Sequence, residues 1–249
     1  MSTNERCSCT NGTAKVSHEE LVDAITKAVY SILQAESSTE LKVASSPRPS
    51  GSQPSGIPLG ISNRHIHLTA KTFHQLFGEK AEFEVMRPLY QPGEFASKHT
   101  LTIVGPKLRS IPGVRILGPL RNYDQVEVSL TDAIFLGIDP PVTNSGSLGN
   151  AAPLTLVGPN GSVYLEKCAI VANRHMHMTS RDAERFGVKN GDFCKVRVGG
   201  EKPTIFENVL IRTNDNWKLQ IHLDTDDANA ANIREETFVE FIGKMGKDK

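Results

Sequence analysis

The residues best suited to chemistry occur twice. Ser62-Asn63-Arg64-His65-Ile66-His67-Leu68-Thr69 returns about 110 residues later as Ala172-Asn173-Arg174-His175-Met176-His177-Met178-Thr179, giving each half an Asn-Arg-His-x-His-x-Thr core. Imidazoles are the commonest metal ligands among side chains. Side chains two apart share one face of a strand, whereas on a helix they diverge by roughly 200°. A histidine pair of this spacing that holds one ion must therefore lie on a strand or extended loop. Ile66 and Leu68, or Met176 and Met178, then face the opposite, apolar side. One His-x-His can arise by chance on a surface strand. Two in the same eight-residue frame favour a duplicated metal-binding domain.

Two imidazoles leave a metal short of ligands, because a catalytic zinc takes about three from the protein and keeps a position open. In Gln125-Val126-Glu127-Val128-Ser129-Leu130 the apolar residues alternate, and Glu127 projects from the other face as a ligand or a solvated carboxylate. His222 alternates with Leu219, Ile221 and Leu223 and can serve the second pair in the same way. Its alternative is a surface histidine before the acidic turn Asp224-Thr225-Asp226-Asp227. His18, His74 and His99 have no partner at ligand spacing and read as solvent-exposed. Arg121, in Gly118-Pro119-Leu120-Arg121, is a candidate for gripping an anion, since guanidinium matches phosphate oxygens two at a time. An ordinary salt-bridge arginine is the other reading. Arg64 and Arg174 immediately precede the histidine pairs, point away from any metal on a strand, and read as supports. Trp217 reads as a packing residue.

The elements that must carry these side chains are short strands. Thr100–Val104, Val114–Leu117, Gln125–Leu130, Leu154–Val157 and Thr237–Ile242 alternate as strands do, and Asn160-Gly161 and Asn190-Gly191 are hairpin-turn signals. A short helical stretch ending in Phe-Gly follows each histidine pair (Phe77-Gly78 and Phe186-Gly187). The pattern predicts a mainly β chain with two small β-barrel domains from an internal duplication, at 57–145 and 146–249. The boundary is expected within Asp139–Pro153, with exchange of strands between the barrels allowed. Ahead of them, 1–17 reads as a disordered tail and 35–56 as a Ser/Pro/Gly-rich flexible linker. Between these, 18–34 reads as an amphipathic helix with Leu21, Val22, Ile25, Ala28, Val29, Ile32 and Leu33 on one stripe. A tethered apolar stripe is a surface for a partner, or for assembly into a homo-oligomer.

Composition excludes some classes. With 28 basic and 28 acidic residues the formal charge is zero, so no global field draws nucleic acid or an anionic membrane. No apolar run approaches the roughly 20 residues of a membrane span, and Met1–Lys15 is too polar for a secretory signal. Four scattered cysteines make no disulfide framework and suit a reduced cytoplasm. Neither a Ser-His-Asp set nor a well-placed nucleophilic cysteine is evident.

Taken in order, Ser62–Thr69, Gln91-Pro92-Gly93, Leu117–Arg121, Gln125–Ser129, Thr131-Asp132-Ala133, Ala172–Thr179 and His222–Asp226 resemble the phosphate propanoyltransferase family, the phosphotransacylases of bacterial microcompartments. The match runs from about Ile57 to Phe241. Phe95–Lys98 and Lys107–Arg109 depart from the family pattern. The resemblance implies two barrels closing around two metal ions, usually zinc. It assigns one ion to His65, His67 and Glu127, the other to His175, His177 and His222, and phosphate to Arg121. It implies transfer of a short acyl group between coenzyme A and phosphate, with acyl-CoA, phosphate, acyl phosphate and CoA as ligands. It also makes residues 18–34 a targeting peptide for the microcompartment lumen, with shell or cargo as partner. A binuclear zinc hydrolase and a non-catalytic, metal-stabilised cargo scaffold remain the alternative readings.

Overall fold

The computed structural model describes residues 56–234 and 237–246, all within one compact unit from Ser52 to Lys249. The tail, amphipathic helix and nearly all of the linker expected ahead of Gly56 lie outside these residues. The strands are β1 (Ile57–Ser62), β2 (His65–His67), β3 (Val85–Pro88), β4 (Phe95–Val104), β5 (Ser110–Gly118), β6 (Gln125–Glu127), β7 (Val142–Thr143), β8 (Ala152–Gly158), β9 (Gly161–Ala172), β10 (His175–Met178), β11 (Phe193–Val198), β12 (Thr204–Thr213), β13 (Gln220–Asp224) and β14 (Phe238–Lys244). Among the described residues four short helices interrupt them: α1 (Ala70–Phe77), α2 (Leu130–Leu136), α3 (Ser180–Phe186) and α4 (Thr225–Ala230).

The strands close into two six-membered barrels. One runs β4-β5-β2-β6-β9-β8 and back to β4, with β3 and β7 added at its margins. The other runs β1-β13-β10-β12-β11-β14 and back to β1. Their pairings correspond strand for strand. The histidine strand β2 is parallel to β5 and antiparallel to β6, just as β10 is parallel to β12 and antiparallel to β13. Beyond these, β6 runs parallel to β9 and β13 runs parallel to β1. The duplication is therefore one of complete barrels, not of a motif alone.

This correspondence moves the expected boundary between 145 and 146. Strand β1 precedes the first histidine pair but closes the second barrel, and β8–β9 precedes the second pair but closes the first. Each repeat sends its first strand into the opposite barrel and crosses back through two residues, Asn63-Arg64 or Asn173-Arg174. Arg64 then locks its crossover with a two-pronged pair to Asp132 on α2 (2.8 and 2.7 Å), and Arg174 does the same with Asp227 on α4 (2.8 and 2.7 Å). The repeated Asn-Arg thus marks a strand exchange, and the arginines support it.

Local chemistry explains the remaining differences. The alternation through Leu130 suggests a longer strand, but β6 stops at Glu127, because Ser129 and Asp132 form a capping box that starts α2. Val126 and Val128 enter the core while Leu130 turns to solvent. Asn190-Gly191 does not make a hairpin. It sits in the turn from α3 to β11, where Asp192 N–H donates to the Lys189 carbonyl and Gly191 takes φ 85°, a value that favours glycine. The acidic run Asp224–Asp227 begins α4, with Asp224 as its N-cap. Ile66 and Leu68 are fully buried in one core, and Met176 and Met178 in the other. Each such side chain contributes about 1.5–3 kcal/mol by leaving water, which fixes the register that turns the histidines to the other face.

Candidate functional site

The histidines and their expected third ligands meet in two equivalent triads. His65 lies opposite Glu127 in the β2–β6 ladder, and His175 lies opposite His222 in the β10–β13 ladder. Within each triad, one ligand-capable atom per residue lies within 4.8 Å of the others. Ligand atoms around a tetrahedral zinc are roughly 3.3 Å apart, given Zn–N bonds of about 2.0–2.1 Å. The 3.5 Å between His65 Nε2 and Glu127 Oε2 is close to that spacing. His65, His67, Glu127 and His177 are each less than a tenth exposed, while His175 and His222 are half-buried.

The imidazoles are prepared as ligands. His65 Nδ1 lies 2.8 Å from the Asn63 carbonyl and His175 Nδ1 lies 2.8 Å from the Asn173 carbonyl, so both Nδ1 atoms carry the proton and leave Nε2 free. The crossover residues that exchange the strands thereby also orient the first ligand of each triad. His67 and His177 each bury Nδ1 with no protein partner, at the same place in both repeats. A buried imidazole nitrogen without a partner costs free energy, and an ion at that point would satisfy it. The donor set therefore fits a metal: three ligands per triad, neutral nitrogens and one carboxylate.

Electrostatics agree with this fit. Burial pushes His67 and His222 well below the usual imidazole value of 6.5, and burial followed by the neighbouring His175 and Arg212 brings His177 down to about 3. Burial alone would raise Glu127. His65 and His175 when protonated, the Ser145 hydroxyl and the Arg121 guanidinium outweigh it and hold the carboxyl below its ordinary value. Four groups thus sit in the ionisation states that bind cations.

Both triads open into one cleft of about 730 Å³ between the barrels. Arg121 is on its wall. Its backbone N–H donates to the Leu68 carbonyl (2.8 Å), just past the first histidine pair, and its Nη1 donates to Tyr123 Oη (2.7 Å). Glu94 stands 3.7 Å from Nη2. Trp217 packs its ring at right angles to His177, with centroids 4.3 Å apart, so it shapes the cleft as well as filling space. His74 and His99 are not solvent-exposed as their isolation in the sequence suggests. His74 Nδ1 lies 3.2 Å from the Gly78 carbonyl, and His99 is wedged among Phe73, Phe77 and Phe83.

Several cleft residues escape the sequence reading. Gln125 and Gln220 lie opposite His67 and His177 in register, and each contacts its third ligand. Their shared place two residues before Glu127 and His222 is a legible signal. Ser145 has none. It lies in the Gly/Ser-rich stretch that reads as a domain boundary, yet it lines the cleft beside Gln125. Arg115 and Arg212 also line the cleft, with no motif to announce them.

A sequence model of the phosphate propanoyltransferase domain matches residues 58–234. The chain belongs to the phosphate propanoyltransferase family. A phosphate propanoyltransferase of Lachnoclostridium phytofermentans is 44% identical over 212 residues, 85% of this chain and 93% of the relative. One of Thermotoga maritima is 49% identical over 177 residues, 71% and 84%. One of Planctopirus limnophila is 41% identical over 226 residues, 90% and 91%. The chain is accordingly an acyltransferase of the phosphotransacylase kind, which sets aside the hydrolase and the inert scaffold.

The depressed imidazoles make metal-free stability depend on pH. Unfolded, His177 takes a proton below about 6.5; folded, it resists until about 3. The unfolded state then binds more protons, so stability is full above about 6.5 and falls as pH drops through that window. Each such histidine contributes a slope of up to about 1.4 kcal/mol per pH unit. Urea unfolding of chelator-treated protein should show a loss of at least about 1 kcal/mol between pH 7.0 and 5.5, reduced in His177→Asn. Equal stability at the two pH values would contradict the buried neutral state.

Proposed function

We propose that the chain transfers a short acyl group reversibly between coenzyme A and inorganic phosphate, with one metal ion at each triad. The observation that carries this reading is that both triads and Arg121 face the same cleft. A phosphate oxygen attacks the thioester carbonyl carbon, the C–S bond breaks with its electron pair on sulfur, and acyl phosphate and CoA are formed. When bound, two zinc ions would polarise that carbonyl and stabilise the soft thiolate as it departs.

The protein's own residues supply position and charge. Arg121 grips phosphate oxygens, and its contacts to Tyr123 and Glu94 aim the guanidinium along the wall. His67 and His177, buried in the cleft lining and kept neutral, are ready to hold an ion there. Cys168 and Cys194 are in the barrel cores, and burial pushes both thiols up to about 12, so neither serves as a nucleophile. With no cysteine among the described residues set up as a nucleophile, direct attack in a ternary complex is the reading we favour. We also propose, as the family resemblance implies, that the chain resides in a microcompartment lumen, with the apolar stripe at 18–34 on its Ser/Pro/Gly-rich tether as the targeting segment.

Two experiments separate the parts. Thiol release from acetyl-, propionyl- and butyryl-CoA should require phosphate, and Arg121→Ala should raise the phosphate KM at least about tenfold with its melting temperature kept. Unchanged phosphate kinetics would remove Arg121 from the site. Deleting residues 1–55 should preserve turnover but abolish co-purification with microcompartment shells. Undiminished shell association would refute the targeting role.

A further inference from the structure

Gln91 reaches from the first barrel into the second. It lies in the turn between β3 and β4 and is only 3% exposed. Its amide meets the backbone of Lys218, just ahead of β13, at both ends. Lys218 N–H donates to Oε1 at 3.0 Å, and Nε2 donates to the Lys218 carbonyl at 3.0 Å. Backbone groups have fixed polarity, so the amide has one admissible orientation. The same Nε2 lies 3.3 Å from Gln220 Oε1, and that oxygen lies 3.0 Å from His222 Nε2. Polarity passes along this chain. With the Gln220 oxygen facing it, His222 Nε2 must carry the proton, and Nδ1 keeps the lone pair, which only the long 3.3 Å contact to the Ser62 hydroxyl touches.

The other repeat holds the equivalent amide the opposite way round. Gly146 N–H fixes Gln125 Oε1 at 2.7 Å, so Gln125 Nε2 donates to Glu127 Oε1 at 2.7 Å. Each glutamine offers its neighbour what that neighbour's chemistry needs: N–H to a carboxylate, oxygen to an imidazole N–H. The outer partner decides which. It is a backbone amide in one repeat and Gln91 in the other.

We infer that Gln91 is a positioning residue for the second triad, acting from the opposite barrel through Gln220 to fix which nitrogen of His222 is free for a ligand. The value of that triad to catalysis rests on the function proposed above; the orientation itself does not. Gln91→Glu is nearly isosteric and still accepts from Lys218 N–H, but it has no donor for Gln220. The Gln220 amide must then turn its NH₂ towards residue 91, and His222 must hold its proton on Nδ1.

Nitrogen-15 NMR of histidine-labelled full chain, dialysed against a chelator and assigned with His222→Asn, reads this directly. The wild type should show His222 protonated on Nε2, and Q91E on Nδ1. Zinc titration against a competing chelator should show one of two affinities weakened about tenfold in Q91E, with the other unchanged. Q91A removes the clamp without adding charge and should show both tautomers, which keeps the test available should Q91E not fold. A wild-type proton on Nδ1, or the same tautomer and zinc affinities in wild type, Q91E and Q91A, would overturn the inference. Should wild-type acyl transfer prove independent of phosphate, the proposed function fails while the NMR result still decides the role of Gln91.

Discussion

Two stretches of two residues hold the chemistry of this molecule together. Asn63-Arg64 and Asn173-Arg174 carry the chain from one barrel to the other, and each ends directly at the first histidine of a triad. The backbone carbonyl of each asparagine fixes the tautomer of that histidine, while each arginine anchors the crossing to a helix N-terminal region through an aspartate. Because both crossings run between the same two barrels, they bring the two triads to one interface. Separate barrels on a plain linker would leave the sites free to drift. Arg64 and Arg174 are more than a third exposed, so their pairs stabilise mainly by geometry: a two-pronged guanidinium fixes an angle as well as a distance.

The two candidate ligand sets are alike in layout and unlike in charge. Two histidines and a carboxylate at the first triad would leave a bound divalent ion with one net positive charge, whereas three neutral histidines at the second leave two. Arg121 adds its charge on the side of the carboxylate triad, close enough to help hold Glu127 ionised. The paired glutamines follow the same division, with opposite orientations over equivalent positions. The two halves share one frame, and the third position of each triad and the residues around it differ.

The sequence discloses whatever depends on local pattern. The doubled histidine core, the alternation around Glu127 and His222, and the strand-rich composition each reflect period-two burial, which a linear reading detects. Those same residues form the two triads. The exchange of β1 and β9 is not local: nothing in Ile57–Ser62 says which barrel it will close, because its pairing partners β13 and β14 lie more than 150 residues away. Alternation also overran the end of β6, where the capping box of Ser129 and Asp132 outweighs an apolar Leu130. Gln91 and Ser145 come from loops and act across the interface, so their roles exist only once both barrels are assembled. His99 had no ligand spacing to reveal it, and its aromatic surroundings are contributed by three separate positions in the chain.

The central claim is that two repeat-related triads present paired cations to one shared cleft. Anomalous diffraction from crystals grown with zinc, collected on both sides of the zinc absorption edge, tests it most directly. Two peaks are expected, one amid His65, His67 and Glu127 and one amid His175, His177 and His222, both facing the space beside Arg121. A single peak, or none at either triad, would contradict the account.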